Sequence, residues 1–320
     1  MTQDVHRITV LPYSAVVGQA ELRHALEIGH IAGLGVLATG QRGTAKSTTI
    51  RAFAMMLHQD LPVTLPLGAT DDRVLGGWDV GALLGDQKDA DPWREGLLEQ
   101  ADRLGLLYVD EVNLLEDHIV NIILDTAATG ILTVQRDHAQ QAPKSVDFAL
   151  VGSMNPDEGP LRPQLLDRFG LVVAVRDDND RETRKKILQA VLAFDVHRHD
   201  PESTFMRDMR RQDDTLRERL RQARSRYPDV SNDDQLIEAC AAVAEEFHLV
   251  GHRGEQVMLQ AARAQAALNG DDRAGVAHLR PAAKAAIMHR RPGTEAGTLR
   301  DWAEAEDDRL ERVLTSVSGD

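Results

Sequence analysis

The residues best suited to chemistry lie in one loop, Gly40-Gln41-Arg42-Gly43-Thr44-Ala45-Lys46-Ser47, followed by Thr48. Glycines let a backbone wrap closely round an anion, with several N–H groups pointing inward. A helix beginning near Lys46 adds the positive end of its dipole. Lys46 is spaced to reach the β- and γ-phosphates of a nucleotide, and Ser47 to offer a hydroxyl to Mg²⁺. Ala45 stands where loops of the form G-x-x-x-x-G-K-[ST] carry glycine. A helical residue there would accommodate the methyl group without steric conflict.

Further along, Leu106-Leu107-Tyr108-Val109 runs into Asp110-Glu111. An apolar strand that ends in two acids suits a magnesium-dependent ATPase. Asp110 can hold the metal through its water shell, and Glu111 can orient and polarise an attacking water as general base. A third apolar run ends at Asn155-Pro156, where a polar side chain could position water or the γ-phosphate. Arg168, in Leu165-Leu166-Asp167-Arg168-Phe169-Gly170, could project into a neighbouring site of a ring-forming ATPase and stabilise transition-state charge.

The elements that must hold these groups can be read from apolar spacing. Gly35–Thr39, Val63–Leu65, Leu106–Asp110, Phe148–Ser153 and Leu171–Val175 read as buried strands. Helical patterns lie between them, at Ala20–Ala32, Ser47–Leu57, Gly96–Arg103 and His118–Thr129. Strands alternating with helices imply α/β architecture, with a parallel sheet flanked by helices. After about Asp177 only amphipathic helices follow: Arg181–Phe194, Thr215–Arg226, Asp233–His248, Gly254–Leu268, Leu279–His289 and Leu299–Val317. The expected organisation is an α/β domain over 1–194, a polar connection over 195–214, and an all-helical C-terminal domain over 215–320.

Bulk properties narrow the partners. The 320 residues are 42% hydrophobic and 28% charged, with net charge −14, the balance of a soluble globular protein. The acidic balance argues against nucleic acid as the main partner. No stretch is apolar over the roughly 20 residues that a membrane span needs, and the N-terminus lacks a secretion signal, so a cytoplasmic location is expected. Cys240, the single cysteine, reads as a small core residue of an alanine-rich helix. His197 and His199 have metal-compatible spacing but no accompanying ligand cluster, and read as linker residues.

Together these motifs resemble the AAA+ ATPases, and most closely the I (ATPase) subunits of magnesium chelatases. The resemblance starts at Tyr13-Ser14-Ala15-Val16-Val17-Gly18-Gln19 and runs through Gly40–Thr48 and Leu65–Arg73. It is most specific at Leu107–Asp125 and Gly159–Gly170, and continues at His252-Arg253-Gly254-Glu255. It implies that Val17 lies beside the adenine, that Asn155 is sensor 1, that Arg168 is an arginine finger acting in trans, and that Arg253 is the sensor-2 arginine. It also implies an insertion in the second helix over about 67–93 and a β-hairpin over about 131–146. The implied cofactors are ATP and Mg²⁺. The implied partners are a homo-oligomeric, hexameric ring, a von Willebrand A-type subunit and a large porphyrin-binding subunit. Related MoxR-type proteins carry alanine at the position of Ala45, and the insertion after Gly76 has its own sequence.

The function expected from the sequence is therefore ATP hydrolysis that drives Mg insertion into protoporphyrin IX by a partner subunit. The alternative is a MoxR-type remodelling ATPase serving another metalloprotein with a von Willebrand A-type partner. A nucleotide-binding scaffold without hydrolysis is disfavoured by the presence of Lys46, Asp110, Glu111 and Arg168.

Overall fold

A computed structural model of the chain describes residues 10–78, 93–133, 135–136, 139–140, 143–177, 180–293 and 300–318. Its N-terminal part is built on five parallel strands: β1 (Val36–Thr39), β2 (Val63–Leu65), β3 (Leu106–Val109), β4 (Ala149–Met154) and β5 (Leu171–Ala174). Their spatial order is β5-β1-β4-β3-β2, with register pairs such as Val36↔Val151, Val36↔Leu171 and Leu150↔Leu107. Every residue of β1 and β3 is buried, as near-continuous apolar strands covered on both faces should be. Each fully buried Leu, Ile or Val contributes about 1.5–3 kcal/mol.

Helices α1 (Ala20–Ala32), α2 (Lys46–His58), α3 (Leu97–Leu104) and α4 (Asp117–Thr129) flank the sheet. The helical part consists of α5 (Arg181–His197), α6 (Thr204–Arg226), α7 (Asp234–Glu246), α8 (Arg253–Asn269), α9 (Val276–Ile287) and α10 (Glu304–Ser318). Alanines 261, 262, 264, 266 and 267 of α8 are all buried, and small side chains let helix backbones approach closely. Cys240 is buried in α7, where desolvation pushes its thiol up to about 12. It is an inert core residue.

The 195–214 connection differs from expectation, because helix covers most of it. α5 runs to His197 and α6 begins at Thr204. Hydrophobic period alone finds only the second half of this helix, Thr215–Arg226, since polar interactions support the first. Ser203 caps it by accepting from the Met206 N–H at 3.3 Å, and Arg211–Asp208, Arg217–Asp214 and Arg221–Glu218 pair one turn apart.

In the expected helix insertion, Gly77–Trp78 pairs antiparallel with Trp93–Arg94, and residues 79–92 lie outside the described ones. Within 131–146, Ile131–Leu132 pairs with Lys144–Ser145 and Gln135–Arg136 with Ala139–Gln140, both antiparallel. No helix among the described residues is long and apolar enough to cross a membrane.

Candidate nucleotide site

The loop after β1 is fixed by the two strands beside it. Gly40 N–H donates to Met154 O at 3.0 Å, at the end of β4, and Val175 N–H donates to Thr39 O at 2.7 Å. A Cβ on Gly40 would lie 2.2 Å from Val175 O, so any other residue would push the loop off the sheet. Thr44 Oγ1 donates to Gln41 O at 2.9 Å, closing the loop on itself, and Gln19 Nε2 reaches Thr44 O at 3.1 Å.

Ala45 is not helical. Its φ of 62° and ψ of 15° are left-handed, and it forms the N-cap of α2. A left-handed non-glycine residue costs roughly 1–2 kcal/mol, so the condition of helical backbone, under which the methyl group would meet no conflict, is not fulfilled. The Cβ is accommodated at a conformational cost, which explains why glycine suits this position.

Lys46 Nζ donates to Gly40 O at 2.6 Å and Gln41 O at 2.7 Å. Burial lowers its pKa, opposed by the charges of Asp110, Glu158, Asp177 and Glu111. A desolvated ammonium folded over its own loop is matched to an anionic ligand that would replace those carbonyls.

Lys46 and Ser47 share a cleft of about 390 Å³ with Asp110, Glu111 and Asn155. β3 brings the acids there, and alternation along the strand sets Tyr108 and Asp110 on the same face. The Tyr108 hydroxyl lies 2.9 Å from Ser47 Oγ and 3.0 Å from Ser153 Oγ, and donates to Asp110 Oδ1 at 2.7 Å. Ser153 Oγ also donates to Asp110 Oδ1 at 2.5 Å. Burial pushes the phenol up to about 12, so it stays a protonated donor. Sequence reading missed Tyr108 and Ser153; the available signal was the two-residue spacing of Tyr108 from Asp110. The hydroxyl of Ser47 and the carboxylate of Asp110, two oxygen donors joined by one phenol, suit a hard cation such as Mg²⁺.

Glu111 has left-handed backbone, φ 54° and ψ 54°, the kind of strain that collects at functional sites. Its Oε1 is 3.4 Å from Arg42 Nη2, and Arg42 also pairs with Glu158. Asn155 is buried at the tip of β4 and accepts from the Asp157 N–H at 3.3 Å through Oδ1. Val17 is half-buried and does not line this cleft; the opening segment touches the loop through Gln19 instead.

Arg168 and Arg253 are elsewhere. They line a second cleft together with Gly35, which stands before β1, whereas Lys46 and Asp110 lie beyond the other ends of the strands. Arg253 Nη2 donates to Arg168 O at 3.4 Å, and Arg168 pairs with Asp125 of α4. Within one chain Arg253, expected as the sensor-2 arginine, therefore groups with Arg168.

The segment carrying Arg168 is clamped by the residues that follow α9, which sequence reading did not single out. Arg290 is buried, with Nε 3.0 Å from Asp167 Oδ1, and donates to Asp167 O, Phe169 O and Gly170 O at 2.9–3.1 Å. His289 Nε2 lies 3.1 Å from Phe169 O. An uninterrupted series of polar contacts therefore joins the helical part to the arginine segment.

Comparison with known proteins places these features in context. Residues 35–169 match the AAA domain of the dynein-related subfamily, and residues 237–313 match the AAA lid domain. The chain is 40% identical to the magnesium-chelatase 38 kDa subunit of Cereibacter sphaeroides, over 96% of this chain and 98% of that one. It is equally identical to the uncharacterized protein Rv2850c of Mycobacterium tuberculosis, over 88% of this chain but 44% of that one. Among solved structures it resembles a chain of the complex between subunits BchI and BchD of magnesium chelatase, a structure based on single-particle cryo-EM. That likeness has a TM-score of 0.50 at 35% identity, over 96% of this chain and 99% of that one.

Proposed function

The chain belongs to the AAA+ ATPases, in the family of magnesium-chelatase 38 kDa subunits, and from that premise we propose that it is the ATP-hydrolysing motor of a chelatase-type complex. One observation carries the mechanism: the residues suited to phosphate, metal and water share one cleft, while Arg168 and Arg253 open on another. A nucleotide site complete in all its parts then takes two copies of the chain.

In this reading the Gly40–Thr48 loop and Lys46 hold the phosphates, with the Lys46 ammonium exchanging its loop carbonyls for phosphate oxygens. Ser47 and Asp110 hold Mg²⁺, and Tyr108 and Ser153 keep the Asp110 carboxylate turned toward Ser47. Bound there, the metal would neutralise phosphate charge. Glu111 takes the proton of the attacking water, and Asn155 orients that water. Arg168 and Arg253 of the neighbouring copy supply positive charge against the negative charge on the γ-phosphate oxygens in the transition state; such an arginine is worth about 10³–10⁵ in rate. The Arg290 clamp ties Arg168 to the helical part, so hydrolysis at one site shifts the helical part of the next copy.

The likeness along the full length to magnesium-chelatase subunits supports a tetrapyrrole client, with a von Willebrand A-type subunit and a large porphyrin-binding subunit as partners. The ring is proposed as a hexamer. An equal likeness to an uncharacterized protein of about twice the length keeps a second reading open, a remodelling ATPase for another metalloprotein. Reconstitution separates them. Phosphate release and Mg insertion into protoporphyrin IX are measured with the chain added to the other chelatase subunits. ATP-dependent insertion supports the first reading, and ATP turnover with no insertion in an otherwise competent set excludes it.

A further inference from the structure

α5 is a helix whose apolar surface is only half used. None of its residues is buried, yet Ile187 to Val196 is apolar on nearly every side. One face, with Ile187, Ala190 and Phe194 half-buried, turns toward α6, where His197 stacks on Phe205. The opposite face carries Leu188, Leu192 and Val196, exposed at 63%, 63% and 73%, with Val191 beside them. These residues recur every four positions, a continuous stripe about 12 Å long at 1.5 Å per residue. Helices that are apolar all round are ordinarily buried on all sides, and the face of this one opposite α6 has no partner among the described residues.

Its position identifies the partner. α5 follows β5 by a few residues, and the end of β5 borders the phosphate loop: Val175 bonds to Thr39, and the Asp177 charge acts on Lys46. The strand that leads into α5 thus ends beside the cleft that Arg168 and Arg253 of a neighbour must reach, and the stripe begins about two turns into the helix. On the opposing surface Val250, three positions before Arg253, is 68% exposed. The charges also match. The first turns of α5 carry Arg181, Arg184, Lys185 and Lys186 against Glu182, whereas α7, which leads to the Val250 loop, carries Asp234, Glu238, Glu245 and Glu246, the last paired with Arg309.

We propose that the exposed face of α5 docks a second copy of this chain, against the loop that carries Val250 and Arg253. This rests on the reading of the nucleotide site as shared between copies. It adds a head-to-tail contact that brings the two clefts together, the heterologous geometry that closes a ring when its rotation permits.

The test uses the full chain, a Leu188→Glu/Leu192→Glu variant and a separate Val250→Glu variant. All three positions are solvent-exposed, and circular dichroism with thermal unfolding confirms that each variant is folded. Sedimentation velocity is run with a non-hydrolysable ATP analogue and Mg²⁺. The wild type is expected to assemble. Each variant is expected to need at least about tenfold more protein to do so, while binding a fluorescent nucleotide within about twofold of the wild type. Normal assembly of either variant overturns the proposal. So does normal assembly with lost binding to a von Willebrand A-type subunit or to anionic phospholipid vesicles, which assigns the face to that occupant. The two readings fail separately. A wild type that assembles but never releases phosphate refutes the ATPase mechanism alone, and variants that assemble and hydrolyse normally refute the docking face alone.

Discussion

Arg42 Nη2 lies 3.4 Å from Glu111 Oε1, and the same guanidinium pairs with Glu158. A residue of the phosphate loop thereby engages the carboxylate proposed to take the proton from water. The contact holds the carboxylate against Arg42, and it must be released before it can act. Arg42 is exposed, and an exposed pair is worth no more than about 1 kcal/mol. Arg42→Ala is therefore expected to raise the basal rate of phosphate release by up to about fivefold, whereas Glu111→Gln should abolish it. A tenfold fall in Arg42→Ala would show that Arg42 acts on the phosphates and does not restrain Glu111.

Tyr108 joins the two proposed metal-holding residues through one oxygen, 2.9 Å from Ser47 and 2.7 Å from Asp110. Tyr108→Phe keeps the buried ring and removes only the hydroxyl. Losing that hydrogen bonding should cost about 0.5–1.5 kcal/mol. The Mg²⁺ concentration for half-maximal ATP turnover should rise about three- to tenfold, with little change in rate at saturating Mg²⁺. An unchanged Mg²⁺ dependence would separate the phenol from the metal site.

His30 is buried edge-on to Phe53 and to His58, with ring centroids 6.4 and 6.2 Å away. Its Nδ1 and His58 Nε2 have no hydrogen-bond partner among the described residues. Desolvation first, then the charges of Arg224 and His58, pull the pKa of His30 down to about 3. Above pH 6.5 both folded and unfolded forms are neutral and no pH dependence arises. As pH falls below 6.5 the unfolded chain takes up a proton that the folded chain refuses, so stability drops by up to about 1.4 kcal/mol per unit. Between pH 7.5 and 5.5 the wild type should lose about 1 kcal/mol more than His30→Phe in urea unfolding. Equal losses would show that His30 is not the group responsible.

Much of the site was legible because its signals are local. The loop Gly40–Ser47, the acids after an apolar strand and Asn155 at a third strand's end are each read from consecutive residues, and parallel pairing brings them together. What escaped depends on conformation or on distant contacts. Ala45 is left-handed because the chain turns there into α2, which residue type alone does not reveal. Ser153 sits in a strand that reads as apolar, and its role appears only when β4 pairs with β3. Arg290 meets Asp167 across more than a hundred residues of sequence, so spacing carries no trace of the clamp. The place of Arg253 beside Arg168 likewise depends on how the helical part packs.

The central claim is that one nucleotide site is built from two copies, with Lys46 supplied by one and Arg168 by the other. The most direct measurement is phosphate release from Lys46→Ala alone, Arg168→Ala alone, and an equal mixture of the two. Each variant alone should be silent, since every site in it lacks one of the two charges. In randomly mixed rings about a quarter of the interfaces pair an intact Lys46 with an intact Arg168, so the mixture should recover turnover on the order of a quarter of the wild-type rate. A mixture that forms mixed rings yet stays as silent as its parts, or an Arg168→Ala protein that hydrolyses ATP normally alone, would contradict the shared site.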